Sequence, residues 1–277
     1  MTTSPADAQM HVGSLYRYPV KSMLGETVDA LFVDQQGVEH DRRLALIDEA
    51  TGRVASAKQA RLWRDVLKCS ATADSGRVSI RMPDGATVAA DADDVDAQLS
   101  KLLARQVTLA DSRPAGASVE RADPEQVLEF GVDAEVDAPL LQLAEATPGD
   151  SFTDFAPVHA ITTATLQRIG TEAERYRPNL VIETPPGYPP YAENEWTGRI
   201  LVVGQARLRA LGPTPRCVIP TLEHGKLGRA PHALRTPAAE NRLPALDMGI
   251  LPCAGAYFEV VAEGTIRAGD RVVLESQ

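Results

Sequence analysis

The amino-acid sequence predicts a mainly β protein with a few helices, closed into a barrel over its second half. Short β-leaning runs recur through both halves, tight reversals separate them, and one stretch in the first third shows sustained helical periodicity. Many short strands with close turns favour a closed sheet, because closure removes exposed edges.

Taken in order, "VGSLYRYPV", "TVDALFVD", "RRLALIDE", "VLKCSATA" and "RVSIRMP" read as strands of an antiparallel sheet, with "EATG" at 49–52 and "PDG" at 83–85 as turns. Residues 91–104 break this pattern. There Val95, Leu99, Leu102 and Leu103 fall at helical spacing behind an acidic, capping-competent start, so a helix covers the sheet. From "DSRPAGASVERADPEQ" to about residue 150 periodicity fades and Pro, Asp and Glu accumulate, which predicts an irregular connection. The chain divides there, into an N-terminal β domain over 1–125 and a barrel domain over 126–277. A short helix starts at "TTATLQRIG", with Thr162 or Thr163 as cap and Gly170 as terminator. Strands resume in "NLVIE", "RILVVG", "ARLRAL", "RCVIP", "AYFEVV" and "DRVVLES", with "GQ" at 204–205 as a reversal. The Pro-rich 184–196 segment, "TPPGYPPYAENEW", reads as an ordered surface loop packed by Tyr188, Tyr191 and Trp196.

Composition narrows the function classes. The 277 residues are 44% hydrophobic and 24% charged, an ordinary globular balance. Lys and Arg number 28 against 38 Asp and Glu, a formal charge of −10, so phosphate-backbone binding has little electrostatic support and no nucleic acid partner is expected. No apolar run approaches the roughly 20 residues that span a bilayer, and "MTTSPADAQM" lacks the basic start and apolar centre of a leader. A soluble, cytoplasmic, monomeric chain without a membrane partner is the expectation.

Cys69, Cys217 and Cys253 are the only cysteines, too few and too far apart for a disulfide framework or a zinc finger. Cys69 and Cys253 sit in β-leaning runs and read as small buried hydrophobes. Cys217 differs. In "GPTPRCVIP" it follows Arg216, whose charge favours a thiolate, and prolines at 213, 215 and 220 restrict the backbone that aims the sulfur. None of the five histidines, His11, His40, His159, His224 and His232, stands in a catalytic signature, so a presented thiol and a structural one remain open on the residues alone.

Over nearly its full length the chain resembles a known family. "LYRYPVKSMLGE" and "HDRRLALIDEATGRVASAKQARLW" resemble the N-terminal domain that accompanies MOSC domains. "APVHAITTATL", "RYRPNLVIE", "YAENEW", "GPTPRCVIPTLE" and "GTIRAGDRVVL" resemble the MOSC domain itself, and the functional relatives are amidoxime-reducing and hydroxylamino-compound-reducing proteins. The resemblance implies a MOSC-type β-barrel joined to an N-terminal antiparallel β domain, with molybdenum cofactor in a cleft between them. That cofactor is a molybdopterin, ending in phosphate or extended by a nucleotide; pyridoxal phosphate is not expected.

By the same resemblance, Cys217 is the protein ligand to molybdenum, and a soft thiolate suits a metal already bound by dithiolene sulfur. Lys21 and Ser22 of "YPVKS", with Arg42 or Arg43 of "DRR", match cofactor contacts of the N-terminal domain, Arg42 the better of the pair. Thr162 and Thr163, Arg177 and Asn179 of "RPN", and Arg216 match contacts from the barrel. Asp154 in "FTDFAP" is a candidate for proton handling or cofactor support, with a turn acid as its plainer reading. The implied reaction is reduction of N-hydroxylated small molecules by removal of the N–O oxygen, with electrons from a separate ferredoxin, flavodoxin or cytochrome b5 type protein. A ferredoxin-like C-terminal domain and an N-terminal anchor, present in some relatives, are not expected here. The alternative is a carrier in which Cys217 holds a persulfide or passes on molybdenum cofactor; a third reading is a barrel that serves as a binding module.

Overall fold

A computed structural model describes residues 9–275; most of the opening "MTTSPADAQM" lies outside them. Seven strands close a barrel. In spatial order these are Val158–Thr162, Leu180–Glu183, Met10–Arg17, Arg271–Leu274, Ile200–Val203, Ala206–Pro215 and Ile250–Ala262, the last of which pairs back onto Val158–Thr162. The pairings are antiparallel except that of Val158–Thr162 with Leu180–Glu183. A parallel pair needs a crossover, and the helix Thr163–Ile169 with the 3-10 turn Ala173–Tyr176 supplies it. The expected closed barrel is therefore present. Its first strand comes from the start of the chain, so the barrel draws residues from both sides of the 125/126 division.

Alternation explains the barrel's interior. Leu201, Val203, Ala206, Leu208 and Ala210 point inward and meet Leu15, Leu180, Trp196, Phe258 and Val272. Trp196 and Phe258 meet as a tilted pair with centroids 6.3 Å apart, and truncating such an aromatic to Ala typically costs about 3–5 kcal/mol. Gly204 and Gln205 make the two-residue reversal, with Gly204 at φ +55° where a Cβ would strike Asp270 and Thr265.

The N-terminal part carries small antiparallel sheets, Ser70–Asp74 with Arg77–Arg81 and Thr87–Ala89, and Ala45–Asp48 with Val107–Ala110. Helix Val95–Leu103 buries Val95, Leu99 and Leu103 against Leu46, Trp63, Cys69 and Ile80, as the periodicity required. A third cluster, with Leu67, Ala122, Cys217, Ile219 and Leu222, joins the two parts.

Several elements differ from expectation. "RCVIP" is not a strand: the long strand ends at Pro215, and Ile219–Thr221 forms a 3-10 turn in which Pro220 sits where no N–H is needed. Arg64–Lys68 is likewise a 3-10 turn, leaving only Ser70 onward of "VLKCSATA" as strand. The connection before residue 150 contains a helix, Pro124–Phe130, whose cap Asp123 accepts from the N–H groups of Glu125 and Gln126. Helix His232–Glu240 carried no periodic signal and has Pro237 inside it.

Candidate functional site

A cavity of about 430 Å³ opens where the N-terminal part meets the barrel, a size in the small-molecule range of roughly 300–1,000 Å³. Its cations are Lys21, Arg42, Lys58, Arg121, Arg177 and Arg216, against the carboxylates Asp154, Glu145 and Asp247. This local excess of positive charge opposes the −10 of the whole chain. Cys217 reaches the same cavity from the segment that follows the long strand and is 9% exposed.

Backbone strain aims three of these side chains. Ser22, Arg42 and Arg177 hold φ of +66°, +47° and +55°, a left-handed region that non-glycine residues enter at a cost of order 1–3 kcal/mol each. Arg177 also precedes Pro178, which disfavours helical conformations before it. Such strain persists where the surroundings over-determine it, and here they do. The Arg42 Nη2 donates to the Arg177 carbonyl at 2.9 Å while its Nη1 pairs with Asp41; the Arg177 Nη1 donates to the Met23 carbonyl at 2.7 Å. Both guanidiniums cover Tyr18, at 4.7 and 4.4 Å from the ring centre. Arg216 stacks on Tyr176 at 4.6 Å and donates to its carbonyl at 2.9 Å.

Lys21 and Lys58 converge on Asp154, at 2.6 and 3.0 Å from its Oδ1, and Lys21 also donates to the Phe152 carbonyl at 2.7 Å. Burial pulls the Lys21 ammonium down to about 8, partly offset by Asp154. Burial would raise the Asp154 carboxyl, but the two lysines outweigh it and hold the group well below the usual carboxylate range. Burial, then the charges of Arg216 and Arg42, keep His159 neutral. Arg177 is lowered to about 10 by burial and by Arg42.

The cavity's polar lining is incompletely satisfied. His159 Nε2, Arg177 Nη2, Thr214 Oγ1 and Arg216 Nε are buried without a hydrogen-bond partner, and all four residues line it. Buried polar atoms ordinarily find partners, so four such atoms on one cavity call for a polar guest. Three of the four can donate from guanidinium or hydroxyl, which together with the charge excess fits an anion. Among the described residues no group of three or more His, Cys, Asp or Glu could hold an ion unaided. A molybdenum ion would therefore depend on donors from its own pterin, with Cys217 as protein thiolate. The donor set fits that arrangement.

The cavity gathers Lys21, Ser22, Arg42, Asp154, Arg177, Asn179, Arg216 and Cys217 from the sequence-derived set. It does not gather Thr162, Thr163 or Arg43. Thr162 caps the helix Thr163–Ile169 through Thr165 N–H, and Thr163 bonds the Thr184 hydroxyl, so both are spent on the crossover. Arg43 follows the left-handed residue and leaves the cavity to Arg42. Asn179 does two jobs: it lines the cavity while its Oδ1 accepts from His159 N–H at 3.1 Å. Lys58 and Arg121 were missed. Lys58 lies in "SAKQARLW" and carries no local signature; Arg121, from the connection before residue 150, donates to the Arg216 carbonyl. Cys69 and Cys253 are fully buried and pushed up to about 11 by burial, which leaves them inert.

The seam cavity of the β-barrel thus sets one thiol in a cationic, donor-rich lining suited to an anionic guest. The profile of the MOSC domain matches residues 150–273 and that of the MOSC N-terminal beta barrel domain matches residues 9–120; the chain is a MOSC-domain protein with that N-terminal unit. It thereby joins a molybdenum-cofactor-associated family. Over 137 residues it is 28% identical to mitochondrial amidoxime-reducing component 1 of Mus musculus, covering 46% of this chain and 39% of that protein. The chain thus matches about two fifths of that relative's length. The YUAD protein of Bacillus subtilis aligns over 97% of both chains at 11% identity and TM-score 0.38, and YiiM of Geobacillus stearothermophilus over 50% of this chain and 67% of its own at 20% and 0.30. No described helix is long and apolar enough to cross a membrane.

Proposed function

We propose that this protein binds molybdenum cofactor in the seam cavity and reduces N-hydroxylated small molecules, with Cys217 as the thiolate donor to the metal. The observation that carries the reading is the convergence of Cys217 with Lys21, Arg42, Arg177 and Arg216 around four unpartnered buried polar atoms. Guanidinium forks suit the phosphate end of the pterin and the lysine adds a compact charge. Tyr18 and Tyr176 fix those forks by stacking, so little ordering remains to be done on binding. When bound, the cofactor supplies two-electron chemistry at molybdenum. The balance is one N–O bond broken, two electrons and two protons consumed, and amine plus water released. Asp154, ionised between two lysines, holds no proton to give; its role here is to hold Lys21 and Lys58 at the cavity wall and to favour the charged form of Lys21.

The electrons would come from a separate ferredoxin, flavodoxin or cytochrome b5 type protein, in keeping with a cytoplasmic setting. The carrier alternative is less well supported. A persulfide meant for a client enzyme needs an accessible sulfur, and Cys217 is 9% exposed at the wall of a cavity. The test is reduction of benzamidoxime by protein produced in a host that makes molybdenum cofactor, with reduced methyl viologen as electron source. Turnover that disappears in Cys217→Ser supports the reading; wild-type protein that holds the cofactor and reduces nothing refutes it.

A further inference from the structure

A second cavity, of about 800 Å³, is lined in part by the loop that follows the Cys217 segment. Its walls come from the Arg64–Lys68 turn and Arg81 of the N-terminal part and from the Leu222–Arg229 loop of the barrel part. The two cavities share no lining residue. One 3-10 turn touches both: Ile219 lines the first, Leu222 lines the second, and the Leu222 N–H donates to the Ile219 carbonyl at 3.0 Å. A turn of that kind rises only about 6 Å.

The second cavity is basic at its rim. Arg81, Lys226 and Arg229 are exposed and belong to no ion pair among the described residues. Arg64 pairs with Asp133 and Lys68 with Asp65, and Glu223 is the other lining acid. The loop bearing Lys226 and Arg229 is held firmly. Buried Arg175 donates to the Leu222 and Gly228 carbonyls at 2.9 and 2.8 Å, and His224 and Leu227 exchange both backbone hydrogen bonds. These cations are thus presented on a fixed frame, in a chain whose net charge would otherwise repel an acidic partner.

We propose that this rim, centred on Arg81, Lys226 and Arg229, is the docking surface for an acidic one-electron-carrier protein that feeds the site behind Cys217. This rests on the reductase reading. Charge complementarity selects the partner, since unpaired cations steer an acidic protein and raise its encounter rate. Position selects the role. A donor seated here lies one turn along the chain from the Cys217 segment and covers none of the residues that line the first cavity. Two successive one-electron deliveries then match the two electrons that each N–O reduction consumes.

The test is the triple variant Arg81→Glu, Lys226→Glu, Arg229→Glu in the cofactor-loaded chain, with a plant-type [2Fe–2S] ferredoxin and a flavodoxin as donors and reduced methyl viologen as control. The KM for the protein donors is expected to rise about tenfold or more, with the viologen-driven rate held within about twofold. Binding of oxidised ferredoxin, followed by calorimetry against ionic strength, should weaken with salt for the wild type and be lost in the variant. An unchanged donor KM and unchanged ferredoxin binding overturn the proposal, as does loss of ATP or pyrophosphate binding with donor binding intact, which would make the cavity a small-anion site. Viologen that drives no reduction in the wild type would count against the reductase reading, while the calorimetry still decides the docking surface.

Discussion

Arg177 lies over the ring of Tyr18 at 4.4 Å from its centre, and because Arg42 covers the same ring, one aromatic side chain fixes two of the cavity's cations. The Tyr18 hydroxyl itself has no partner, so the ring rather than the oxygen does the positioning. Stacking of this kind contributes about 0.5–2 kcal/mol per cation. Tyr18→Leu is therefore expected to weaken pyrophosphate binding to the cofactor-free protein by roughly tenfold, and Tyr18→Phe to leave it within about twofold. Isothermal titration checks both. Equal loss in the two variants would show that the hydroxyl, not the stack, matters.

Lys21 sets a pH dependence. Its folded value of about 8 lies below the ordinary 10.5, so the free protein loses this cation as pH rises through about 8, and affinity for an anion falls with it. A bound anion favours the charged form and shifts the fall to higher pH. Pyrophosphate affinity should decline between pH 7 and 10 in the wild type and stay flatter in Lys21→Arg, whose guanidinium remains charged. A wild-type profile without a decline contradicts the assignment of Lys21 to the anion.

His224 predicts the acid limb of stability. Burial lowers it to about 4, with its Nδ1 against the Leu222 carbonyl at 3.1 Å. A histidine depressed on folding stabilises fully above its unfolded value near 6.5, and that contribution is lost as pH falls through about 4. The wild type should lose about 2–3 kcal/mol across this window from His224, and His224→Asn should flatten it. Denaturant midpoints at pH 7, 5.5 and 4.5 measure the difference. Parallel losses in both proteins would place the acid sensitivity elsewhere, with neutral His159 the next group to examine.

Gly255 is a close-approach position. Its φ is +78°, and a Cβ there would stand 2.6 Å from both the Ala160 carbonyl oxygen and the His159 Nε2. Gly255→Ala should cost about 2–4 kcal/mol, seen as a lower Tm, and should disturb the cavity wall at His159. A variant with unchanged Tm would mean that the strand shifts freely, against the packing described.

Much of this was legible in the sequence, and the exceptions have physical causes. Val95, Leu99 and Leu103 announced their helix because one face is buried, and Thr162 with Gly170 bounded another because capping chemistry is local. Asp123 and Pro124 carried an equally local cap and Pro signal, masked by the polar composition around them. "RCVIP" read as a strand because Val218 and Ile219 are apolar; they are buried around a tight turn, where apolarity has no strand period. Lys21, Arg42, Arg177, Arg216 and Cys217 stand in motifs, and the folded chain brings them to one cavity. Lys58 and Arg121 were missed, since their convergence on the cavity is a property of the folded chain alone. Thr162 and Thr163 also stand in a motif, and in the folded chain they bond within the crossover and do not line the cavity.

The most direct measurement is the molybdenum and pterin content of freshly purified protein from a host that makes the cofactor, for the wild type, Arg177→Ala and Cys217→Ser. The account predicts stoichiometric metal and pterin in the wild type, a loss of about tenfold or more of both in Arg177→Ala, and retained pterin with an altered metal–thiolate absorption in Cys217→Ser. Wild-type protein that folds and yet carries neither metal nor pterin would contradict it.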